Sequence, residues 1–462
     1  MEDRVHLVSE FRQELQHILN YWEKFTIDHR QGGFYGRLTN DNQVVEGAVK
    51  GAVLNARILW TFSAAYNLTK EARLLEVAER SFDYVSSRFI NLPFGGVYWS
   101  VTAEGVPADD RQQMYAIAFM IYGLTEYARA TGLAEDVRAN GLRRNMRTML
   151  LTEDILELAI GLYRDIEDNS YDAVRGGYME AFTADWKPID DLRLSDKDAN
   201  EKKTMNTHLH ILEAYTNLYR VWPDKELAGK IRGLIGNFTD HIIDGRTHHL
   251  HLFFDENWEV RPGRVAFGEN WEVRSGRVAF GEDGEVRSGK VAFGEDGEVR
   301  RRVISYGHDI EASWLLLEAA EVLGDQDLIR RVKELSVKIA EASMEGVNPD
   351  GSMNYELDGG HLIAERHWWV QAEAMVGFLN AWQLTGEVSF YDKFLAVWAY
   401  TKKYIIDREK GEWFWGRTAD GEVMPGQDKV GFWKCPYHNS RACMEVIRRL
   451  EGSVATGRVW RS

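Results

Sequence analysis

The stretch Gly32-Gly33-Phe34-Tyr35-Gly36 decides the fold, because related stretches recur between helical segments along the whole chain. Each consists of small residues followed by aromatic residues and a polar turn, a composition typical of a tight hairpin. The further copies, the last two looser than the others, are Gly95-Gly96-Val97-Tyr98-Trp99, Gly176-Gly177-Tyr178-Met179-Glu180, Gly411-Glu412-Trp413-Phe414-Trp415-Gly416, His249-Leu250-His251-Leu252-Phe253-Phe254 and Gly351-Ser352-Met353-Asn354-Tyr355. Such recurrence indicates repeats of one structural unit.

Apolar residues at spacings of three and four predict about twelve helices around these hairpins. Their predicted ranges are 5–26, 49–66, 70–88, 111–130, 153–168, 205–221, 225–241, 308–323, 326–344, 367–385, 388–406 and 438–451. Helix pairs alternating with hairpins are the pattern of a closed ring with an inner and an outer helical layer and a cleft at the hairpin end. We therefore predict an all-α fold, an (α/α)6 barrel formed by residues 1–462 as a single domain. A two-domain helical array is the alternative, although no linker rich in Pro, Ser or Gly divides the chain.

Composition and charge limit the classes of partner that the protein can bind. The 462 residues carry a formal net charge of −16, whereas nucleic acids and anionic membranes require a basic surface. No apolar run is long enough to span a membrane, and neither the start Met1-Glu2-Asp3-Arg4 nor the two cysteines indicate secretion. We expect a cytoplasmic monomer acting on a small, uncharged molecule. The 16 tryptophans suit a cleft that stacks on sugar rings, and a Trp-rich core is the alternative.

Two segments interrupt the helical pattern. A tandem repeat of thirteen residues occupies 256–268, 269–281, 282–294 and 295–307, and each copy combines a β-rich half with a turn such as Gly-Glu-Asp-Gly. We expect these copies to expand the fourth hairpin as a β-arm. Residues 133–151, rich in arginine, lengthen another connection and are expected to form an extra surface helix.

Histidine stands out in three stretches of the chain, at 205–210 (MNTHLH), 303–311 (VISYGHDIE) and 433–439 (WKCPYHN). Because its pKa lies near neutrality, histidine serves as an acid or a base. Metal binding by His208, His210, His308 and Glu311 is the alternative. His208 and His210 point to different helical faces, however, and the chain has neither an HExxH motif nor clustered cysteines. We expect no metal and no other cofactor.

The sequence resembles the acylglucosamine 2-epimerase superfamily over nearly its whole length. The resemblance depends on five motifs, at 55–63 (NARILWTFS), 205–212 (MNTHLHIL), 305–314 (SYGHDIEASW), 367–373 (HWWVQAE) and 433–443 (WKCPYHNSRAC). It implies an (α/α)6 barrel that converts the reducing-end glucose of a β-1,4-linked disaccharide, such as cellobiose or lactose, into mannose without a cofactor. Cys435 departs from the family pattern, which usually has a small residue there.

The resemblance also implies roles for individual residues. His308 and His438 match the general acid/base pair, and His210 matches the histidine that assists ring opening. Arg57 would hold the sugar oxygens that become negatively charged, and Glu311 would orient or tune His308. The same resemblance implies that Tyr115, Asn206 and Asp198 line the site and that Trp368, Trp369 and Trp433 stack on the sugar rings.

The chemistry itself requires two bases, because inverting C2 removes a proton from one face of the carbon and returns one to the other. His308 and His438, from distant motifs, could flank that carbon with Arg57 beside the anionic oxygen. An aldose–ketose isomerase of the same superfamily would share this pair. An inverting glycoside hydrolase would instead need two separated carboxylates. A non-catalytic sugar-binding protein is the third alternative.

Overall fold

The computed structural model describes residues 2–132, 146–261 and 303–455, and helices make up most of this part of the chain. The twelve described helices are α1 (Glu2–Phe25), α2 (Ala52–Thr69), α3 (Ala72–Arg88), α4 (Met114–Thr131), α5 (Met146–Asn169), α6 (Met205–Val221), α7 (Lys225–Asn237), α8 (Tyr306–Leu323), α9 (Gln326–Ser343), α10 (Trp368–Thr385), α11 (Val388–Tyr400) and α12 (Tyr437–Ala455). Short π-helical turns follow α7 and α11 (Phe238–Ile242 and Thr401–Ile405), and a 3-10 turn follows α9 (Met344–Gly346). Each predicted helix is found, with its ends shifted by a few residues.

The even-numbered helices form a closed inner ring. Each contacts the next in the order α2, α4, α6, α8, α10, α12, and α12 contacts α2 again. The odd-numbered helices form the outer layer, in which α1 packs on α12, α3 on α2, α5 on α4, α7 on α6, α9 on α8 and α11 on α10. Inner helices are buried on all sides, as α2 is from Ala52 to Ala65, whereas outer helices bury only one stripe. The predicted (α/α)6 barrel is confirmed.

Short antiparallel strands cover one end of the barrel. Those described are β1 (Lys50–Gly51), β2 (Ser100–Val101), β3 (Pro107–Asp109), β4 (Gln112–Gln113), β5 (Ala181–Phe182), β6 (Lys203–Thr204), β7 (Phe253–Phe254), β8 (Val260–Arg261), β9 (Val303–Ser305), β10 (Glu356–Asp358), β11 (His361–Ile363), β12 (Arg366–His367) and β13 (Gly416–Arg417). They pair in the orders β1-β2-β3, β4-β5, β6-β7-β8, β11-β10-β9 and β12-β13. Strands β1, β4, β6, β9 and β12 run directly into inner helices. The inner helices therefore begin at the strand-covered end.

We call the six recurring stretches at 32–36, 95–99, 176–180, 249–254, 351–355 and 411–416 the glycine-aromatic stretches. Each hairpin after an outer helix closes with a bridge between an apolar residue and a residue of one of these stretches. These bridges are Ile27 to Phe34, Ile90 to Val97, Tyr171 to Tyr178, Ile243 to Leu250, Val347 to Met353 and Ile406 to Trp413. In three of the hairpins a buried lysine ammonium donates to an aspartate carboxylate. The pairs are Lys50–Asp28 at 2.8 Å, Lys203–Asp172 at 2.9 Å and Lys429–Asp407 at 2.7 Å. Lys50 and Lys203 belong to β1 and β6, so these two pairs fix their hairpins against strands that precede inner helices.

The tandem repeat enters and leaves through two different sheets. Within its first copy, β8 pairs with β7, whereas β9 in its last copy pairs with β10 of the following sheet. The segment thus joins the fourth hairpin to the strand that leads into α8. Residues 262–302 and 133–145 lie outside the described residues, and so do most of the expected β-arm (256–307) and most of the expected surface helix (133–151). Among the described helices, none is long and apolar enough to cross a membrane.

Candidate active site

Most of the predicted site residues lie in the first two turns of inner helices. His308 is the third residue of α8 and His438 the second of α12, while Tyr115 and Asn206 are the second residues of α4 and α6. Arg57, His210 and Glu311 stand at the sixth position of α2, α6 and α8. Because the ring brings six helix starts together, residues from distant parts of the chain meet at one end of the barrel.

The rings of His308 and His438 both contact the indole of Trp369, with centroid distances of 4.8 and 5.8 Å. Gly307 makes the first of these contacts possible. A Cβ at this position would lie 2.5 Å from the Trp369 ring, so a larger residue would push α8 and α10 apart. The two histidines therefore share one aromatic neighbour.

A carboxylate supports the ring of His438. Nδ1 of His438 donates a hydrogen bond to Oε1 of Glu373 at 2.7 Å, leaving Nε2 available for chemistry. Burial, followed by the charges of Arg57 and Arg441, lowers the pKa of His438 well below its usual value. Burial also raises the pKa of Glu373. His438 is thus neutral at neutral pH, and a proton that it accepts would be stabilised by the Glu373 carboxylate.

A hydroxyl, not a carboxylate, supports His308. Its Nδ1 lies 2.7 Å from Oγ of Ser305, the last residue of β9. Burial lowers the pKa of His308 to about 3, and His210 contributes in the same direction. The predicted role of Glu311 needs correction here, because its carboxylate accepts a hydrogen bond from Arg441 rather than from His308. Residues three apart share a helical face, but Ser305 occupies the place beside Nδ1.

Below the histidines, Arg441 lies among three glutamates, and we call Arg441, Glu213, Glu311 and Glu373 the arginine cluster. Nη1 of Arg441 donates to Glu213, and Nη2 donates to Glu311 and, at 2.7 Å, to Glu373. Burial and Glu373 raise the pKa of Glu311 to about 7. Burial opposes ionisation of Glu213 as well, but Arg441 and His210 hold its pKa at about 2. His210 joins the cluster through Nδ1, which donates to Glu213 at 2.9 Å.

Arg57 is held in an aromatic cage. Its guanidinium carbon lies 4.1 Å from the ring centroid of Phe119 and 4.9 Å from that of Tyr437. Nη2 donates to the Tyr115 hydroxyl at 2.8 Å, and Nη1 lies 3.9 Å from the Cys435 sulfur. These fixed neighbours orient a permanent positive charge in a buried place. Such a charge can stabilise an oxyanion that forms during a reaction.

The predicted sugar-binding residues divide into two groups. Trp433 contacts Tyr115 at 5.9 Å and so stands beside the Arg57 cage, and the buried Asn206 Oδ1 has no hydrogen-bond partner among the described residues. Asp198 instead accepts two hydrogen bonds from Ser195 in its own loop, both at 2.9 Å. The ring of Trp368 packs against Trp415 at 4.6 Å. The Lys434 ammonium lies 5.1 Å from the same ring, so Trp368 supports the site from behind instead of offering a free face.

The metal alternative assigned a role to His208, which the structure places elsewhere. Its Nδ1 donates to the Thr204 carbonyl at 2.6 Å and its Nε2 accepts from the Tyr178 amide at 2.9 Å. Both ring nitrogens are therefore occupied in a structural role. The described group with suitable spacing for a metal is Glu311, Glu373 and His438, whose donor atoms lie within 4.8 Å. Both carboxylates already bind Arg441 there, so we interpret this group as a hydrogen-bonded cluster.

Sequence reasoning did not identify Glu213, Glu373, Arg441 or Tyr437 as site residues. Tyr437 donates its hydroxyl proton to Glu213 and also accepts from Arg441. A signal was present for Glu373, a charged residue within the strongly apolar stretch Trp368–Thr385, because a buried charge requires a partner. The partners themselves are up to 228 positions apart in the chain, which local patterns do not show.

The fold defines an (α/α)6-barrel enzyme, and three histidines meet where its inner helices begin. The chain belongs to the N-acylglucosamine 2-epimerase (GlcNAc 2-epimerase) family, whose sequence profile matches residues 32–273 and 284–442. It is 44% identical to the cellobiose 2-epimerase of Bacteroides fragilis over 96% of this chain and 98% of that protein. The cellobiose 2-epimerase of Ruminococcus albus is 37% identical over 96% of this chain and 99% of its own. The solved structure of cellobiose 2-epimerase from Bacillus thermoamylovorans is 36% identical and superposes with a TM-score of 0.79, covering 96% of this chain and 99% of that one.

Proposed function

We propose that this enzyme inverts C2 of the reducing-end glucose in a β-1,4-linked disaccharide, converting cellobiose into glucosyl-mannose and lactose into epilactose. The observation that carries the proposal is the pair of neutral imidazoles, His308 and His438, that meet on the Trp369 indole. The substrate is supported by full-length relatives named cellobiose 2-epimerase at 44% and 37% identity.

In the proposed reaction the sugar reacts as its open-chain aldehyde. One imidazole removes the C2 proton, and the C–H electron pair forms a C1–C2 double bond as the carbonyl electrons move to O1. Arg57 stabilises the resulting enediolate oxygen. The other histidine takes up a proton from solvent and returns it to the opposite face of C2, which restores the aldehyde, and the first histidine releases the C2 proton to solvent. Glu373 supports the protonated state of His438 through the 2.7 Å hydrogen bond to Nδ1.

Opening and closing the sugar ring needs a further proton transfer between O1 and the ring oxygen. We assign this step to His210, because Glu213 holds its Nδ1 and leaves Nε2 free to act. The contacts of His210 with Tyr115 at 5.0 Å and Phe119 at 4.6 Å place it beside the Arg57 cage. We further propose that the enzyme acts as a cytoplasmic monomer on uncharged sugars. Its net charge of −16 disfavours nucleic acids and anionic membranes as partners.

The competing reactions would use the site differently. An isomerase would return the proton to C1 and release a ketose, with the same histidines as acid and base. A glycoside hydrolase requires two carboxyl groups set apart across the glycosidic bond. Glu311 and Glu373 are instead joined through one guanidinium group, an arrangement that suits support of the histidines better than hydrolysis.

Incubation with cellobiose in deuterated water tests the proposal. We expect glucosyl-mannose carrying one deuterium at C2, because the proton exchanges with solvent on the histidines. A fructosyl product labelled at C1 would indicate the isomerase, and free glucose would indicate the hydrolase. Unlabelled glucosyl-mannose would contradict proton transfer through the two histidines.

A further inference from the structure

Arg441 is an unusual residue for the centre of a barrel. Its side chain is 1% exposed, and its guanidinium carbon lies 4.8 Å from the Trp314 ring centroid and 4.3 Å from that of Tyr437. It lies one turn after His438 on α12, at the fifth position of the helix. Its guanidinium nitrogens bind the carboxylates of Glu213, Glu311 and Glu373, so Arg441 acts through other side chains.

The arginine cluster connects two of the site histidines. From Arg441, one route runs through Glu213 to Nδ1 of His210 and another through Glu373 to Nδ1 of His438. Glu373 is held on its other oxygen by the Trp314 indole N–H at 3.2 Å. Each carboxylate comes from a different inner helix, so the guanidinium joins α6, α8 and α10 to α12.

Stability alone gives little reason for this cluster. Burying ions costs several kcal/mol per ion, and well-packed apolar residues of similar volume often replace buried ion pairs without loss of stability. In the arginine cluster one positive charge also faces three carboxyl groups. The cluster therefore tends to bind a proton, which reduces its excess negative charge. Burial raises the pKa of both Glu373 and Glu311. The position of the cluster, directly behind His210 and His438, suggests a role in proton transfer.

We propose that Arg441 is a positioning residue that keeps Glu373 ionised and His438 neutral between proton transfers, and that links His438 to His210. Its effect on turnover presupposes the proposed epimerase activity, whereas its effect on the ionisation of His438 does not. Without the guanidinium, the proton shared by this group would settle on His438 or Glu373. A proton on His438 occupies the base itself. A proton on Glu373 is donated to Nδ1 and moves the imidazole hydrogen to Nε2, so in either case Nε2 fails as a base at neutral pH.

Other charged and titratable groups also face His438 and bear on its ionisation. Arg57 approaches from α2, His210 from α6, and His308 and Glu311 from α8, in addition to Glu373 on α10 and Tyr437 on its own helix. Arg57 and Arg441 are the two cations among them, and both lower the pKa of His438. Of these two, Arg441 is the one whose nitrogen binds the carboxylate that supports His438.

The test compares Arg441→Met, Arg441→Gln and Arg441→Lys by NMR of ring-labelled histidine. We expect the pKa of His438 to rise by roughly one to two pH units in the Met and Gln variants, because a nearby charge is lost. The Lys variant, which keeps the charge, should remain near the wild type. If Arg441→Met does not fold, Arg441→Gln carries the test, since its amide still donates a hydrogen bond.

Kinetics with cellobiose provide the second measurement. In Arg441→Met and Arg441→Gln the acidic limb of kcat/KM should move to higher pH by as much as the pKa of His438 rises. In both variants kcat at pH 7 should fall about 100-fold with little change in KM. Arg441→Lys should return the acidic limb of kcat/KM to its wild-type pH. It should not restore all of kcat, because lysine lacks the two terminal nitrogens with which arginine binds separate carboxylates.

Arg449→Met is the matched control. Arg449 lies two turns further along α12, 6.0 Å from the same Trp314 ring, and donates to Asn380 at 2.9 Å. The variant Arg449→Met should lower the thermal midpoint of unfolding without changing the pKa of His438. Unchanged titration in both neutral Arg441 variants would overturn the proposal and leave Arg441 a purely structural residue. A wild type that does not epimerise cellobiose would defeat the proposed function, while the NMR titration would still decide the role of Arg441.

Discussion

Oε1 of Glu373 lies 2.7 Å from Nδ1 of His438, although the two residues are 65 positions apart in the chain. The carboxylate holds the imidazole in one tautomer and stabilises its protonated form. We expect Glu373→Gln to lower kcat for cellobiose about 100-fold with KM nearly unchanged, because glutamine preserves the shape but not the charge. Steady-state kinetics measure this change.

Glu365→Gln is the control for that variant. Glu365 binds Nε2 of His367 at 2.8 Å, a similar carboxylate–histidine pair outside the site. The kcat of Glu365→Gln for cellobiose should stay within about three-fold of the wild-type value. Equal losses in the two variants would show that Glu373 has no particular function.

His308→Ala and His438→Ala should each reduce epimerisation by about 10² to 10⁴, the usual contribution of a general acid or base. The losses should be similar, since each histidine serves one face of C2. Product formation from cellobiose, measured on protein of verified fold, gives the comparison. His241→Ala is the control, because this exposed histidine stacks on Trp258 at 4.7 Å, away from the site. Near-normal activity of His308→Ala or of His438→Ala would disprove the assignment of these two histidines as the acid/base pair.

His208 should make the fold sensitive to acid. Burial lowers its pKa from 6.5 to about 4, so the unfolded chain takes up a proton below pH 6.5 that the folded chain refuses. The stability that His208 contributes is therefore complete above pH 6.5 and decreases as the pH falls towards 4. By linkage, about 2 kcal/mol is lost between pH 7 and pH 5.

The variant His208→Gln tests this dependence by denaturant unfolding at both pH values. It should be less stable than the wild type at pH 7, because the hydrogen bonds with Thr204 and Tyr178 are altered. The difference between the two proteins should narrow by about 2 kcal/mol at pH 5, since glutamine does not titrate. A difference that is constant with pH would mean that His208 is not buried as a neutral ring.

Removing residues 262–300, three repeat lengths, should leave a folded and active enzyme. In two other units, two residues connect the third strand to the strand before the next inner helix. They are Asp110 and Arg111 between β3 and β4, and Ala364 and Glu365 between β11 and β12. The deletion leaves Arg301 and Arg302 to connect β8 with β9 in the same way. We expect a thermal midpoint within a few degrees of the wild type and similar kcat on cellobiose.

A deletion of residues 262–302 is the control, because it joins β8 directly to β9. These strands belong to different sheets, so the control should lose stability where the first deletion does not. A folded but inactive first deletion would show that the repeat takes part in the site beside His308.

The helices were predictable from the sequence because their signal is local. Apolar spacing identified each of the described helices, and the order of helices and hairpins indicated the barrel. The glycine-aromatic stretches also marked the hairpins correctly. A stronger signal in the same hairpins was overlooked, since an apolar residue and then Asp or Asn precede each stretch, as in Ile27-Asp28 and Ile406-Asp407.

The contacts within the site were less predictable, because they join distant parts of the chain. The resemblance implied that Glu311 orients or tunes His308, yet Arg441, 130 positions away, binds that carboxylate. The partner of His308 is Ser305, a hydroxyl that carries no distinctive pattern. Family resemblance suggested which histidines to consider, whereas the ionic neighbours that set their protonation required coordinates.

The last helix of the barrel has a further consequence for how the enzyme is made. Helix α12 contacts α10, α1 and α2, and it also supplies His438 and Arg441. During synthesis the amino-terminal part of a chain emerges first, at roughly 5 to 20 residues per second. The ribosome must therefore translate the chain through α12 before the ring can close. Until then the nascent chain has an open seam beside α2 and lacks His438, so we expect a product that ends before α12 to be inactive.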